Sequence, residues 1–113
     1  MRWCIALLLL WNVAAQAEET QSPRHLIAVM SDHCPFCEAW EEDIGRDWDS
    51  LNISRVRQLH IALLDETLPE PFSHLPAASV TPTFILVDGD TEVARFVGYQ
   101  DQDIWWMQMD GWY

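Results

Sequence analysis

Leu26-Ile27-Ala28-Val29-Met30-Ser31-Asp32-His33-Cys34-Pro35-Phe36-Cys37-Glu38-Ala39-Trp40-Glu41-Glu42-Asp43-Ile44-Gly45 is the stretch on which the fold turns. Its first five residues are apolar without alternation, the pattern of a central strand covered on both faces. Ser31-Asp32-His33 reads as a loop. Pro35 fits the first turn of a helix, where its missing N–H costs nothing. Gly45 supplies a stop, so the helix is expected to run from about Pro35 to Ile44. At about 100° per residue, Phe36, Cys37, Trp40 and Ile44 share one arc. Glu38, Glu41, Glu42 and Asp43 lie outside it. Cys37 is therefore expected to face the core, with Cys34 at the exposed end of the helix.

A Cys-x-x-Cys at a helix N-terminus has a physical logic. The reactive species is the thiolate, and the unpaired N–H groups and positive dipole end stabilise that anion. Such a thiol ionises well below its ordinary value of about 8.5. The spacing lets the second sulfur displace a partner held on the first. The motif alone is shared with metal sites, which usually draw four N or S ligands. A strand before it and a helix after it favour redox chemistry. His33, beside Cys34, either stabilises the thiolate or is an exposed loop residue. His60 alternates away from Leu59 and Ile61 and is expected to be solvated, while His25 and His74 give no signal.

Working outward, Asp47 to Ser54 looks irregular, with Trp48 and Leu51 as packing anchors. A strand is expected over Arg55–Leu64, with Arg57, Leu59, Ile61 and Leu63 on one face. Asp65 to Ser79 contains Pro69, Pro71 and Pro76 and reads as a long connection with at most a short helix. Thr83-Phe84-Ile85-Leu86-Val87 is a second fully apolar strand, opened by Thr81-Pro82. A proline at the mouth of a central strand calls for an explanation. It is either an ordinary trans proline at a strand start or one of the rare cis bonds. Asp88-Gly89-Asp90 turns the chain into an antiparallel strand, Glu92–Val97. Asp101 caps a closing helix that carries Ile104, Trp105, Trp106 and Met109. The two tryptophans read as packing rather than as a binding platform. The order is β-α-β, then β-β-α: a single small α/β domain resembling the core plan of the thioredoxin fold.

At 113 residues the chain holds one domain. Met1-Arg2-Trp3-Cys4, the apolar run Ile5–Trp11 and Ala15-Gln16-Ala17 have the layout of a secretory signal. The run is shorter than the roughly 20 residues that span a bilayer. Residues 1–17 are expected to be a signal peptide, 18–24 a leader and 25–113 the domain, exported to the periplasm. An uncleaved anchor helix is the alternative; after cleavage no stable membrane insertion is expected. Cleavage removes Cys4 and leaves only Cys34 and Cys37, too close in sequence to staple a fold, so their use is chemical. The chain has 18 acidic residues, six arginines, no lysine and a net charge of −12. Such a surface excludes nucleic-acid binding through phosphates and avoids anionic membranes.

Three blocks together resemble a particular family. They are Cys34-Pro35-Phe36-Cys37-Glu38-Ala39-Trp40 with Glu42-Asp43-Ile44; Thr81-Pro82-Thr83-Phe84-Ile85-Leu86 with Glu92, Arg95 and Gly98-Tyr99; and Asp103-Ile104-Trp105-Trp106. They look like the periplasmic thioredoxins of bacterial sulfur-oxidation systems, the SoxS type. The resemblance implies a reductase acting on a protein thiol or disulfide, notably on a sulfur-carrier protein. A membrane thiol transporter would supply the electrons, with no cofactor and no resident metal. By the same resemblance Cys34 attacks and Cys37 resolves. Thr81 and a cis Pro82 form the substrate-binding turn beside the sulfurs, and Pro35 and Phe36 belong to the substrate-binding set. Two departures stand out. Ala28 occupies the place of the buried acid of ordinary thioredoxins, and the absence of lysine removes its partner.

Two other functions compete. A disulfide-donating oxidase has the same fold and differs in redox poise, by about 150 mV between the extremes. A soft-metal module would bind copper through Cys34 and Cys37, with His33 as a third ligand.

Overall fold

The computed structural model describes residues 22–112, so the expected signal peptide lies outside it, as does most of the leader. Strand β1 runs Arg24–Met30, helix α1 Pro35–Asp43, β2 Gln58–Leu63, β3 Thr83–Asp88, β4 Thr91–Val97 and α2 Gln102–Met109. Two 3-10 turns, Gly45–Ser50 and Asn52–Arg55, fill the stretch between α1 and β2. The sheet order is β2-β1-β3-β4. β1 pairs with β2 in parallel and with β3 antiparallel, and β3 with β4 antiparallel.

The two unbroken apolar runs take the two central places, where both faces need cover. Leu26, Ala28, Met30, Phe84 and Leu86 pack on one face against Trp40 and Ile44 of the α1 region and Trp105 and Met109 of α2. Ile27, Val29, Ile85 and Val87 pack on the other face against Leu68 and Phe72. Leu68 and Phe72 belong to the connection between β2 and β3, which has no helix and covers the sheet with its own side chains. Asp101 caps α2 through Oδ1, which accepts from the Ile104 N–H at 2.9 Å. Among the described residues no helix is long and apolar enough to cross a membrane.

Three local expectations are corrected. Phe36 is 61% exposed rather than part of the core face. It lies in the first helical turn, where helical side chains lean toward the N-terminus and so away from the core face. The second strand is shorter than expected, beginning at Gln58. Arg57 just precedes it and is buried: its guanidinium donates to the carbonyls of His25 and Trp112 and pairs with Asp88 at 3.1 Å. Ile61 and Leu63 are exposed because β2 is an edge strand, and its Ala62 turns inward instead. His60 is half-buried rather than solvated. Its Nε2 lies 2.9 Å from His25 Nδ1, and both rings pack edge-on against Phe72 of the returning connection.

Candidate active site

Cys34 is the N-cap of α1, with extended backbone at φ −106° and ψ 99°. Pro35 occupies the first turn, and the Glu38 N–H donates to the Cys34 carbonyl at 3.0 Å, closing it. The Cys34 sulfur thus takes the place a serine or aspartate oxygen usually fills, and accepts the Cys37 N–H at 3.2 Å. Cys34 and Cys37 form a disulfide, with their Cα atoms 5.2 Å apart. The helix N-terminus that receives the sulfur is the environment that favours an anion there. Both cysteines are shielded, Cys34 at 8% and Cys37 at 3% exposure. Cys34, however, is flanked by exposed Pro35 and Phe36, whereas Cys37 points into the core beside Trp40.

The entry to β3 closes over this sulfur. The Thr81–Pro82 bond is cis. The Thr81 hydroxyl donates to Cys34 Sγ at 3.5 Å, and Ser31 Oγ lies 2.6 Å from Thr81 Oγ1. The turn is braced from β4, where the Gly98 N–H donates to the Pro82 carbonyl at 2.8 Å. Gly98 has φ 91°, a left-handed value that side chains disfavour. Val80 and Val97 flank the turn and are exposed, as is Phe36. The expected residues Cys34, Cys37, Pro35, Phe36, Thr81 and Pro82 therefore meet at one end of the sheet.

His33 is exposed, with φ 57°, and no hydrogen bond joins it to Cys34. Ala28 is fully buried beneath α1, so no acid stands there. A cavity of about 240 Å³ reaches Cys37 instead, with Asp32, Glu38 and Glu41 on its wall. No cluster of three or more His, Cys, Asp or Glu that would hold a metal occurs among the described residues. Sequence reasoning missed Ser31, Val80, Val97 and Gly98. Only Gly98 carried a local signal, as a glycine ending a strand.

Residues 12–110 match the family model described as a thioredoxin-like domain. The chain belongs to the thioredoxin-like family. With a Cys34–Cys37 disulfide at the N-terminus of α1, it is a thioredoxin-like thiol–disulfide oxidoreductase. Among solved structures, it is similar to the reduced form of the periplasmic thioredoxin SoxS from Paracoccus pantotrophus. The TM-score is 0.69 at 24% identity, over 76% of this chain and 90% of that one. It is also similar to thioredoxin f2 from Chlamydomonas reinhardtii, with a TM-score of 0.54 at 18% identity, over 82% of each chain. At these identities the likeness concerns the thioredoxin fold. Among curated proteins none matches the chain.

Proposed function

We propose that this thioredoxin-like protein is an exported reductase that restores a cysteine on a partner protein. The observation that carries the reading is the Cys34 sulfur, held at the N-terminus of α1 and adjoining the cis Thr81–Pro82 turn and exposed Phe36. In the reduced protein the Cys34 thiolate attacks a sulfur of the partner's disulfide, and the partner's other sulfur leaves as a thiolate. Cys37 loses its proton and attacks Cys34. The partner's first sulfur then leaves as a thiolate, and the Cys34–Cys37 disulfide forms. Two electrons have passed to the partner. Thr81 and Pro82, with Pro35 and Phe36, form the surface on which the partner segment lies.

The signal-like layout of residues 1–17 supports export, with a mature N-terminus at Glu18 and residues 18–24 as a leader. The likeness to a periplasmic thioredoxin, SoxS, supports the same compartment, and the resemblance of the three sequence blocks implies a sulfur-carrier protein as the partner. A membrane thiol transporter would then return the disulfide to the dithiol.

A Cys37→Ser variant tests this reading in the periplasm. It should accumulate one covalent complex, with a sulfur-carrier protein, that dithiothreitol releases. Capture of many unfolded secreted proteins would instead make the protein a disulfide donor. Capture of nothing, with tight copper binding by the reduced wild type that Cys34→Ser abolishes, would make it a metal module.

A further inference from the structure

The Cys34 sulfur has one side-chain hydrogen-bond partner among the described residues, the hydroxyl of Thr81. That hydroxyl has a partner of its own, Ser31, at 2.6 Å. The contact follows from the sheet. β1 and β3 run antiparallel with Val29 opposite Thr83. The same register carried onward sets Met30 opposite Pro82, which has no N–H to continue the ladder, and Ser31 opposite Thr81. Where backbone pairing stops, two side-chain hydroxyls take over.

Each hydroxyl carries one proton. If Thr81 gives its proton to sulfur, the 2.6 Å contact is made with the proton of Ser31. A disulfide sulfur is a weak acceptor, so in the oxidised protein either hydroxyl can be the donor between them. A thiolate accepts strongly, because hydrogen bonds to charged groups are about twice as strong as neutral ones. Reduction of the disulfide therefore fixes the direction of the pair.

We infer that Ser31 is a positioning residue for the attacking sulfur: by donating to Thr81 Oγ1 it commits the Thr81 proton to the Cys34 thiolate. Ser31 does not touch the sulfur. It holds the Thr81 hydroxyl in the donating rotamer and polarises it, since linked hydrogen bonds strengthen one another. The gain falls on the reduced form alone, so Ser31 raises the reduction potential of the pair. The inference rests on the redox reading only for naming Cys34 as the attacking sulfur.

The test reads the pH midpoint of Cys34 alkylation by iodoacetamide, with the modified cysteine identified by peptide mass. The protein is first reduced by dithiothreitol, which supplies the two electrons and two protons. Ser31→Ala should move the midpoint up by about half a pH unit to one unit. Ser31→Thr, which keeps a hydroxyl, should retain the wild-type midpoint. Thr81→Val should move it at least as far as Ser31→Ala, and the double variant no further than Thr81→Val alone. The reduction potential of Ser31→Ala should fall in step. An unchanged midpoint in Ser31→Ala or in Thr81→Val overturns the inference. So does a shift in Ser31→Thr as large as in Ser31→Ala, or full additivity in the double variant. Thr81→Val keeps the test open where Ser31→Ala does not fold. No partner protein enters the measurement, so a failed trapping experiment leaves this inference standing.

Discussion

A single methyl group at Gly45 would collide with one of the three fully buried indoles of the core, Trp40. A Cβ there would overlap Trp40 Cζ3 and lie 2.9 Å from Cε3. The sequence shows a stop after α1, but the stop is not the left-handed cap glycine usually provides; the chain passes so close to the buried indole that no side chain fits. Gly45→Ala should cost about 1–3 kcal/mol through overpacking, seen as a lower urea midpoint with an unchanged slope. At the sulfurs, alkylation of the reduced protein near neutral pH should modify Cys34 before Cys37. Cys34 caps the helix N-terminus beside exposed Pro35 and Phe36, while Cys37 is the more deeply buried of the two; faster labelling of Cys37 would exchange their roles. Both cysteines and Pro82 were legible because each is a residue type with few other uses at such a place. Ser31 was not. A serine after a strand is an ordinary loop residue, and its contact with Thr81 depends on how two strands far apart in sequence are registered.

Elements were legible in proportion to how evenly they are buried. β1 and β3 announce themselves as unbroken apolar runs because each has neighbours on both edges and cover on both faces. β2 blurs because it is an edge strand whose inward residues include His60 and whose approach carries Arg57. The connection from β2 to β3 is the least legible, since its cover of the sheet comes from isolated anchors, Leu68 and Phe72, rather than from a period. Where it returns over β1 and β2 it shuts in the His25–His60 pair. Burial, with the Arg57 guanidinium in support and Asp88 opposing, holds His25 below its ordinary 6.5. Burial and then the charge of His25 do the same for His60. A base whose native value is lowered stabilises the fold fully above its unfolded value, and that stability is lost as pH falls through the native one. The thermal midpoint should therefore drop as pH falls below about 6.5, before most carboxylates titrate. His60→Gln should flatten that drop, and a slope equal to the wild type's would remove the pair from the account.

At the scale of the whole molecule, charge governs which partners reach the sulfurs. The chain has six arginines, and among the described residues Arg24 and Arg57 face Asp88 and Arg95 faces Glu92, so these three are engaged within the fold. The 18 acids far outnumber them. Asp32 and Glu38 lie close to the disulfide, beside an apolar rim of Phe36, Val80 and Val97. A partner presenting an apolar segment with a basic border meets an attractive field, and an acidic one is repelled before contact. The comparison needs only two synthetic disulfide peptides, identical at the cysteines and flanked by lysine or by glutamate. At low ionic strength the reduced protein should react with the basic peptide faster by about tenfold or more. The Debye length shrinks from about 30 Å at 0.01 M salt to about 3 Å at 1 M. Added salt should therefore slow the basic peptide, speed the acidic one and bring the two rates together. The ratio should also narrow as pH approaches the sequence pI of 4.3, where the net charge vanishes. Equal rates at low salt, or a ratio indifferent to salt, would mean that the acidic surface serves solubility alone and that recognition rests on the apolar rim and the Thr81–Pro82 turn.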